Sequence, residues 1–329
     1  MNYRPLGRTG LTVSEVGFGA WAIGGSMWGS SDDRTSLAAL QHALDLGVTL
    51  IDTALVYGDG RSERLVGEVV RARKDNERVV VCTKVPPMNF QWPARNDARI
   101  EDVFPPSHIR ASCERSLKNL GLDAIDVLQL HVWSPAWSAQ ASNALEEGWW
   151  DAMQRLKTEG KIRHVGISIN DHQPNTALEV IRAGHVEVVQ VIHNLFDQSP
   201  EDALLPLCLE RGIGVLARVP LDEGSLTGKL RRDTVFPDGD FRSRYFGGAR
   251  LEETVERVEA LGWLERSDRT LAQAALGFVL GHPAVSSVIP GMRNTAQVDM
   301  NVAAADAGRL TSDERARAGG HRWDRNFYA

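Results

Sequence analysis

Cysteine is scarce in this chain of 329 residues: Cys82, Cys113 and Cys208 are all it has. They are far apart and odd in number, so no disulfide framework is expected, and plain thiols in a reducing compartment are. No Cys-x-x-Cys or His-Glu-x-x-His spacing occurs, so no metal site is predicted. A basic excess is also missing. The 37 Lys and Arg face 43 Asp and Glu, for a net charge of −6. That argues against a nucleic-acid partner, because nothing is set aside to neutralise phosphates. No run approaches the roughly 18–20 apolar residues of a membrane helix, so no membrane partner is expected. The first ten residues carry Arg4 and Arg8 and no apolar stretch. No secretory leader is read there, and a cytoplasmic location is the expectation. No low-complexity tract or charge block divides the chain. One domain over 1–329 is therefore predicted, with 1–15 as a cap and 308–329 as a tail.

What is present is an alternation. Short apolar runs rich in Val, Ile and Leu occur at 48–52, 79–84, 125–131, 164–168, 186–192, 213–219 and 285–290, with a weaker one at 17–20. Such runs suit strands buried on both faces. Helical patterns fall between them, at 35–46, 61–71, 107–120, 148–159, 174–183, 203–211, 251–277 and 295–305. In the first, Leu37, Leu40, Ala43 and Leu44 follow a helical stripe. Gly47, Gly121, Gly160, Gly184 and Gly212 follow helices, where a left-handed cap favours glycine. About eight strand–helix units in such a chain predict an α/β fold, the (β/α)8 TIM barrel. Residues 3–15, with Gly7 and Gly10 as turn residues, read as a β-hairpin ahead of it. A doubly wound dinucleotide fold needs Gly-x-Gly-x-x-Gly between its first strand and helix. Here Gly17-Phe18-Gly19 is followed by Ala20, Trp21 and Ala22, and that fingerprint fails.

Barrel chemistry sits where strands end and loops begin. The second strand ends in Asp52 and its loop supplies Tyr57; the third ends in Lys84; the fourth ends in His131. A tyrosine of ordinary pKa, about 10, is a poor proton donor near neutrality. A neighbouring ammonium lowers it, and Asp52 can hold Lys84 as an ion pair. Tyr57 can then protonate a carbonyl oxygen as it gains charge, with His131 orienting it. This set handles the oxygen of a carbonyl and has nothing for the carbon. A hydride donor is implied, and nicotinamide is the obvious one.

The chain resembles the aldo-keto reductases. The resemblance rests on Tyr3-Arg4-Pro5-Leu6-Gly7-Arg8-Thr9-Gly10-Leu11 and Gly17-Phe18-Gly19, then on Asp52-Thr53-Ala54, Tyr57-Gly58, Ser62-Glu63 and Leu65-Val66-Gly67. Lys84 and His131 follow at the matching strand ends. It implies a catalytic tetrad of Asp52, Tyr57, Lys84 and His131, with Tyr57 as general acid. It implies cofactor contacts at Ser168, Asn170 and Gln190. Family members often have Tyr-Ser-Pro-Leu on the seventh strand, the tyrosine stacking on nicotinamide. This chain has Arg218-Val219-Pro220-Leu221. Arg218 is expected to stack on the ring, to reach the pyrophosphate, or to form a structural ion pair. Pro220 and Leu221 begin a segment resembling the pyrophosphate cover. Gly291, Arg293, Asn294, Gln297 and Asn301 resemble the adenosine end. Arg293 can pair with a 2′-phosphate, which favours NADP(H), with NAD(H) as the alternative.

Trp21 and Trp133 directly follow the first and fourth strands and are expected as walls of the substrate pocket. The loops 86–106 and 133–147 are expected to set substrate choice. The tail either covers the barrel mouth or packs on an outer helix or a partner. The expected function is reduction of a small-molecule aldehyde or ketone by NADPH. Two alternatives stay open: an NAD(P)+-dependent sugar or alcohol dehydrogenase using the same site, and a redox-sensing regulatory subunit like the potassium-channel β subunits. Oligomeric state is not legible.

Overall fold

The computed structural model describes residues 1–25, 27–29, 31–73, 78–137, 148–307 and 309–328. The chain starts as an antiparallel hairpin of β1 (Tyr3–Pro5) and β2 (Thr12–Ser14), with Tyr3 opposite Ser14. Eight parallel strands follow in sequential order: β3 (Phe18–Gly19), β4 (Leu50–Asp52), β5 (Val80–Val85), β6 (Ile125–Trp133), β7 (Ile162–Ile169), β8 (Val188–Ile192), β9 (Gly214–Arg218) and β10 (Ser287–Val288). Helices fill the crossovers, as parallel neighbours require. The last strand returns to the first. Bridges join Val16 to Val288 and Gly19 to Gly291, and the Gly19 N–H donates to the Pro290 carbonyl at 3.0 Å. The sheet closes into a (β/α)8 barrel with no free edge.

Two apolar layers hold it. The larger lies between strands and helices, and the buried faces of the helices that flank the sheet supply it. In helix Asp33–Asp45 that face is Ser36, Ala39, Leu40, Ala43 and Leu44. The smaller fills the barrel's lower end, where Leu6, Leu11 and Val13 of the hairpin meet Leu50, Val80, Cys82, Val127, Val188 and Leu216. The hairpin lies so close that a Cβ on Gly7 would stand 2.2 Å from the Gly214 nitrogen. Gly7, at φ +54°, is the residue that permits the approach.

Several elements differ from the sequence expectation: short helices form at Ile100–Val103 and Arg242–Tyr245, where none was read, and three further segments depart from their expected form. The pattern at 251–277 is two helices, Arg250–Glu259 and Leu271–Leu280. The chain turns between them at Gly262–Leu264, and Thr270 with Gln273 restarts it through a reciprocal capping box. The pattern at 174–183 opens as a 3-10 turn, Pro174–Ala177, before a short helix, Leu178–Arg182. Proline starts such a turn readily, since it needs no N–H partner. The tail contains a helix, Ser312–Gly319, whose Thr311–Glu314 capping box carried the signal. It was missed because its one buried residue is Ala318, which leaves no apolar stripe to read.

Candidate active site

The upper rim of the barrel gathers the strand-end residues. Asp52 closes β4, Lys84 lies near the end of β5, and His131 near the end of β6. His131, Ser168 and Gln190 stand level across three neighbouring strands. Tyr57 comes from the turn after β4. That turn packs backbone to backbone on the 3-10 turn Ala22–Gly24: a Cβ on Gly58 would lie 2.1 Å from the Gly24 carbonyl oxygen. Glycine at 58, at φ +64°, sets how deeply Tyr57 sits.

The Lys84 ammonium donates to Asp52 Oδ2 at 2.6 Å, to the Thr53 carbonyl at 2.8 Å and to the Tyr57 hydroxyl at 3.5 Å. Lys84 is 1 % exposed and Asp52 3 %, so this pair is buried, with Asp52 just reaching the cavity above it. Burial pulls the Lys84 pKa down, but Asp52 and Tyr57 outweigh it and hold the ammonium above its ordinary range. For Tyr57 burial wins. It raises the phenol against the opposing pull of Lys84, so the hydroxyl keeps its proton at neutral pH. Burial, reinforced by Lys84 and Arg218, pulls His131 well below its ordinary value, so its imidazole is neutral. The Tyr57 and His131 rings meet edge to face, with centroids 6.1 Å apart. A phenol that keeps its proton beside a neutral imidazole can protonate and orient a carbonyl oxygen.

These groups form the floor of a cavity of about 1000 Å3. Of the residues expected there, Asp52, Tyr57, His131, Asn170, Gln190, Arg218, Pro220, Leu221, Gly291, Arg293, Gln297, Asn301 and Trp21 line it. Lys84 lies just beneath. Ser168 is 1 % exposed and does not reach the lining. Asn294 is committed elsewhere: its side chain caps helix Thr295–Val302 by accepting from the Gln297 N–H. Trp133 also departs from expectation. A register shift between His131 and Trp133 breaks the alternation of β6. Trp133 is fully buried against Trp137 and Trp149, and its indole donates to the Thr176 carbonyl. Trp92 stands at the wall instead, donating to the His131 carbonyl at 3.0 Å with its ring against the imidazole. Residues 138–147 of the loop expected to set substrate choice lie outside the described residues.

Arg218 makes the structural ion pair, with Asp171 at 2.6 Å. Arg293 donates to the Trp28 carbonyl at 2.8 Å and has no carboxylate in ion-pair range among the described residues. The tail covers the mouth: Tyr328 lines the cavity and donates to Glu223, and Arg325 pairs with Asp222. The tail was expected over the mouth as one of its two placements, but the spacing of strands and motifs did not single out Glu223, Tyr328 or Asp171 as cavity residues, because loop and tail meet only in space. A large polar ligand suits this chamber. Trp28 Nε1, His131 Nδ1, Arg218 Nε and Asn301 Oδ1 are buried without hydrogen-bond partners, and all four residues line it.

The comparisons agree with the geometry. The model of the family described as "Aldo/keto reductase family" matches residues 15–321. "Aldo-keto reductase YhdN" of Bacillus subtilis (strain 168) is 30% identical over 91% of this chain and 87% of its own length. The "NADH-specific methylglyoxal reductase" of Escherichia coli (strain K12) is 31% identical over 94% and 95%. Among solved structures, the glycerol dehydrogenase AKR11B4 from Gluconobacter oxydans superposes with a TM-score of 0.76 at 30% identity, covering 95% of this chain and 92% of that one. A barrel of this topology, with this strand-end quartet and a match over nearly its whole length, belongs to the aldo/keto reductase family of NAD(P)H-dependent oxidoreductases.

Proposed function

We propose that this chain reduces a small aldehyde or ketone, with NADPH as hydride source and Tyr57 as proton donor. The observation that carries the reading is the buried Asp52–Lys84–Tyr57 chain beside a neutral His131 on the floor of the cavity. Tyr57 gives its proton to the carbonyl oxygen. Lys84 stabilises the phenolate left behind, and Asp52 holds Lys84 in place. His131 orients the carbonyl without competing as an acid. A bound nicotinamide supplies the hydride, which no side chain here can. Among the cavity-lining residues, Asn170 and Gln190 would hold its carboxamide, Pro220 and Leu221 its pyrophosphate, and Gly291, Gln297 and Asn301 its adenosine end. Arg293, with no carboxylate in ion-pair range among the described residues, would take the 2′-phosphate.

Trp21 lies over Tyr57 with centroids 6.1 Å apart, and Trp92 stands by His131. These rings favour apolar, aromatic or sugar-ring carbonyls. The relatives named as a methylglyoxal reductase and a glycerol dehydrogenase support small oxygenated substrates, and the same groups run the alcohol oxidation in reverse. Three free, buried cysteines suit the reducing cytoplasm. No helix among the described residues is long and apolar enough to cross a membrane. The chain works as one barrel unit, closed below by residues 1–15 and covered above by the tail.

Fluorescence titration with NADPH and NADH tests the cofactor. The wild type is expected to bind NADPH more tightly, and Arg293→Ala to weaken NADPH about tenfold or more while leaving NADH alone, as loss of a charge-assisted hydrogen bond does. Equal affinity for both in the wild type overturns the NADPH preference, and binding of neither overturns the oxidoreductase reading.

A further inference from the structure

Gln129 lies on β6, two residues before His131, and is fully buried. Its Nε2 donates to Asp52 Oδ1 at 3.3 Å, and Gln190 Nε2 donates to the same oxygen at 2.7 Å. Asp52 Oδ2 faces Lys84. The carboxylate is thus divided, one oxygen to the ammonium and the other to two neutral amides. Gln129 stands level with Lys84 on one side and with Gly166 of β7 on the other. Gly166 leaves it room: a Cβ there would lie 2.9 Å from Gln129 Cγ and 2.9 Å from the Val188 carbonyl oxygen. Packing alone does not explain this residue. Gln129 Oε1 is buried with no partner, and an apolar side chain would avoid that uncompensated desolvation.

We propose that Gln129 is a positioning residue for the proton donor, its amide steadying Asp52 so that Lys84 stays within reach of Tyr57. This rests on Tyr57 being the acid. The 3.5 Å from Lys84 to the Tyr57 hydroxyl is at the limit of a hydrogen bond, so it is the link most sensitive to a shift of the carboxylate. A neutral amide steadies Asp52 without rivalling Lys84 for it, as a second cation would. Without Gln129, Asp52 Oδ1 keeps a single donor. The carboxylate is held less firmly, by Gln190 and Lys84 alone, and its less compensated charge draws Lys84 away from Tyr57. Both effects make the Tyr57 proton harder to give.

Two variants test this. Gln129→Met keeps the volume and removes the donor; Gln129→Asn keeps the amide but withdraws it by one methylene. Steady-state kinetics across pH, the solvent deuterium isotope effect and thermal melting are measured for each. Both variants are expected to lower kcat about fivefold, the equivalent of one hydrogen bond, with the cofactor KM within about twofold. The solvent isotope effect rises, and the alkaline fall in rate moves to higher pH. Wild-type kcat, isotope effect and pH profile in either folded variant overturn the proposal, whatever happens to the melting temperature. Tyr57→Phe is run in parallel. If it keeps wild-type kcat, the acid assignment itself fails; if it loses activity while the Gln129 variants do not, only the positioning role fails.

Discussion

Tyr57 holds its proton because burial outweighs the pull of an ammonium 3.5 Å away. In the proposed reduction Tyr57 gives up that proton, so its loss at high pH is expected to lower the rate. The kcat for reduction is expected to stay level through neutral pH and to fall only as pH rises past about 10, the ordinary tyrosine value or above. His131, held neutral, adds no acid limb near its ordinary 6.5. Tyr57→Phe should cost about 10²- to 10⁴-fold in kcat, the range for a positioned general acid. Its cofactor affinity, read by fluorescence titration, should be unchanged. Asp52, Tyr57, Lys84 and His131 were legible in the sequence because each closes or follows an apolar run, and barrels put their chemistry there. Gln129 was not, because its neighbour Asp52 is far away along the chain and only strand pairing brings them together. Trp133 misled for a local reason. The shift at the end of β6 turned a strand-end ring into the helix layer, which period-2 alternation does not foresee.

The segment after β9 and the tail act as one element. Val219, Asp222 and Glu223 all have positive φ, near +50°, a conformation that costs a non-glycine residue of order 1–2 kcal/mol. Side-chain contacts hold it: Asp222 accepts from Ser225 and Tyr245 and pairs with Arg325, and Glu223 accepts from Tyr328. Burial pushes the Glu223 carboxyl up to about 7, against the opposing pull of Tyr328. A raised carboxyl binds a proton in the folded state that the unfolded chain has already released. Its contribution to stability is full below about 4.5 and is lost as pH rises through about 7. Across that window the wild type should lose about 3 kcal/mol relative to Glu223→Gln. Urea unfolding of both proteins at pH 5 and pH 8 checks this. Parallel slopes would show that Glu223 titrates alike in both states.

At the scale of the whole molecule the barrel has two unlike ends. The lower end is apolar and plugged by the hairpin; the upper end is polar and carries the cavity. Leu6→Ala should therefore lower stability by about 2–5 kcal/mol, as for a large-to-small change in a packed core. It should leave kcat of the folded protein as it was, since the plug lies at the end away from Tyr57. A fall in kcat matching the loss of stability would show that the two ends are coupled.

Alternation of apolar runs with helical stripes was enough to specify a parallel barrel, because a strand buried on both faces leaves a continuous apolar signature. Strand ends then located the quartet. Helix division at 251–277 depended on a capping box within an apolar pattern, a weaker signal than the stripe around it. What pattern alone did not resolve was long-range. The tail and the segment at 219–224 meet through ion pairs and rings, and neither carries a period that names its partner. The second oxygen of Asp52 found its amides across the barrel, where closure of the sheet, not adjacency in the chain, sets who is a neighbour.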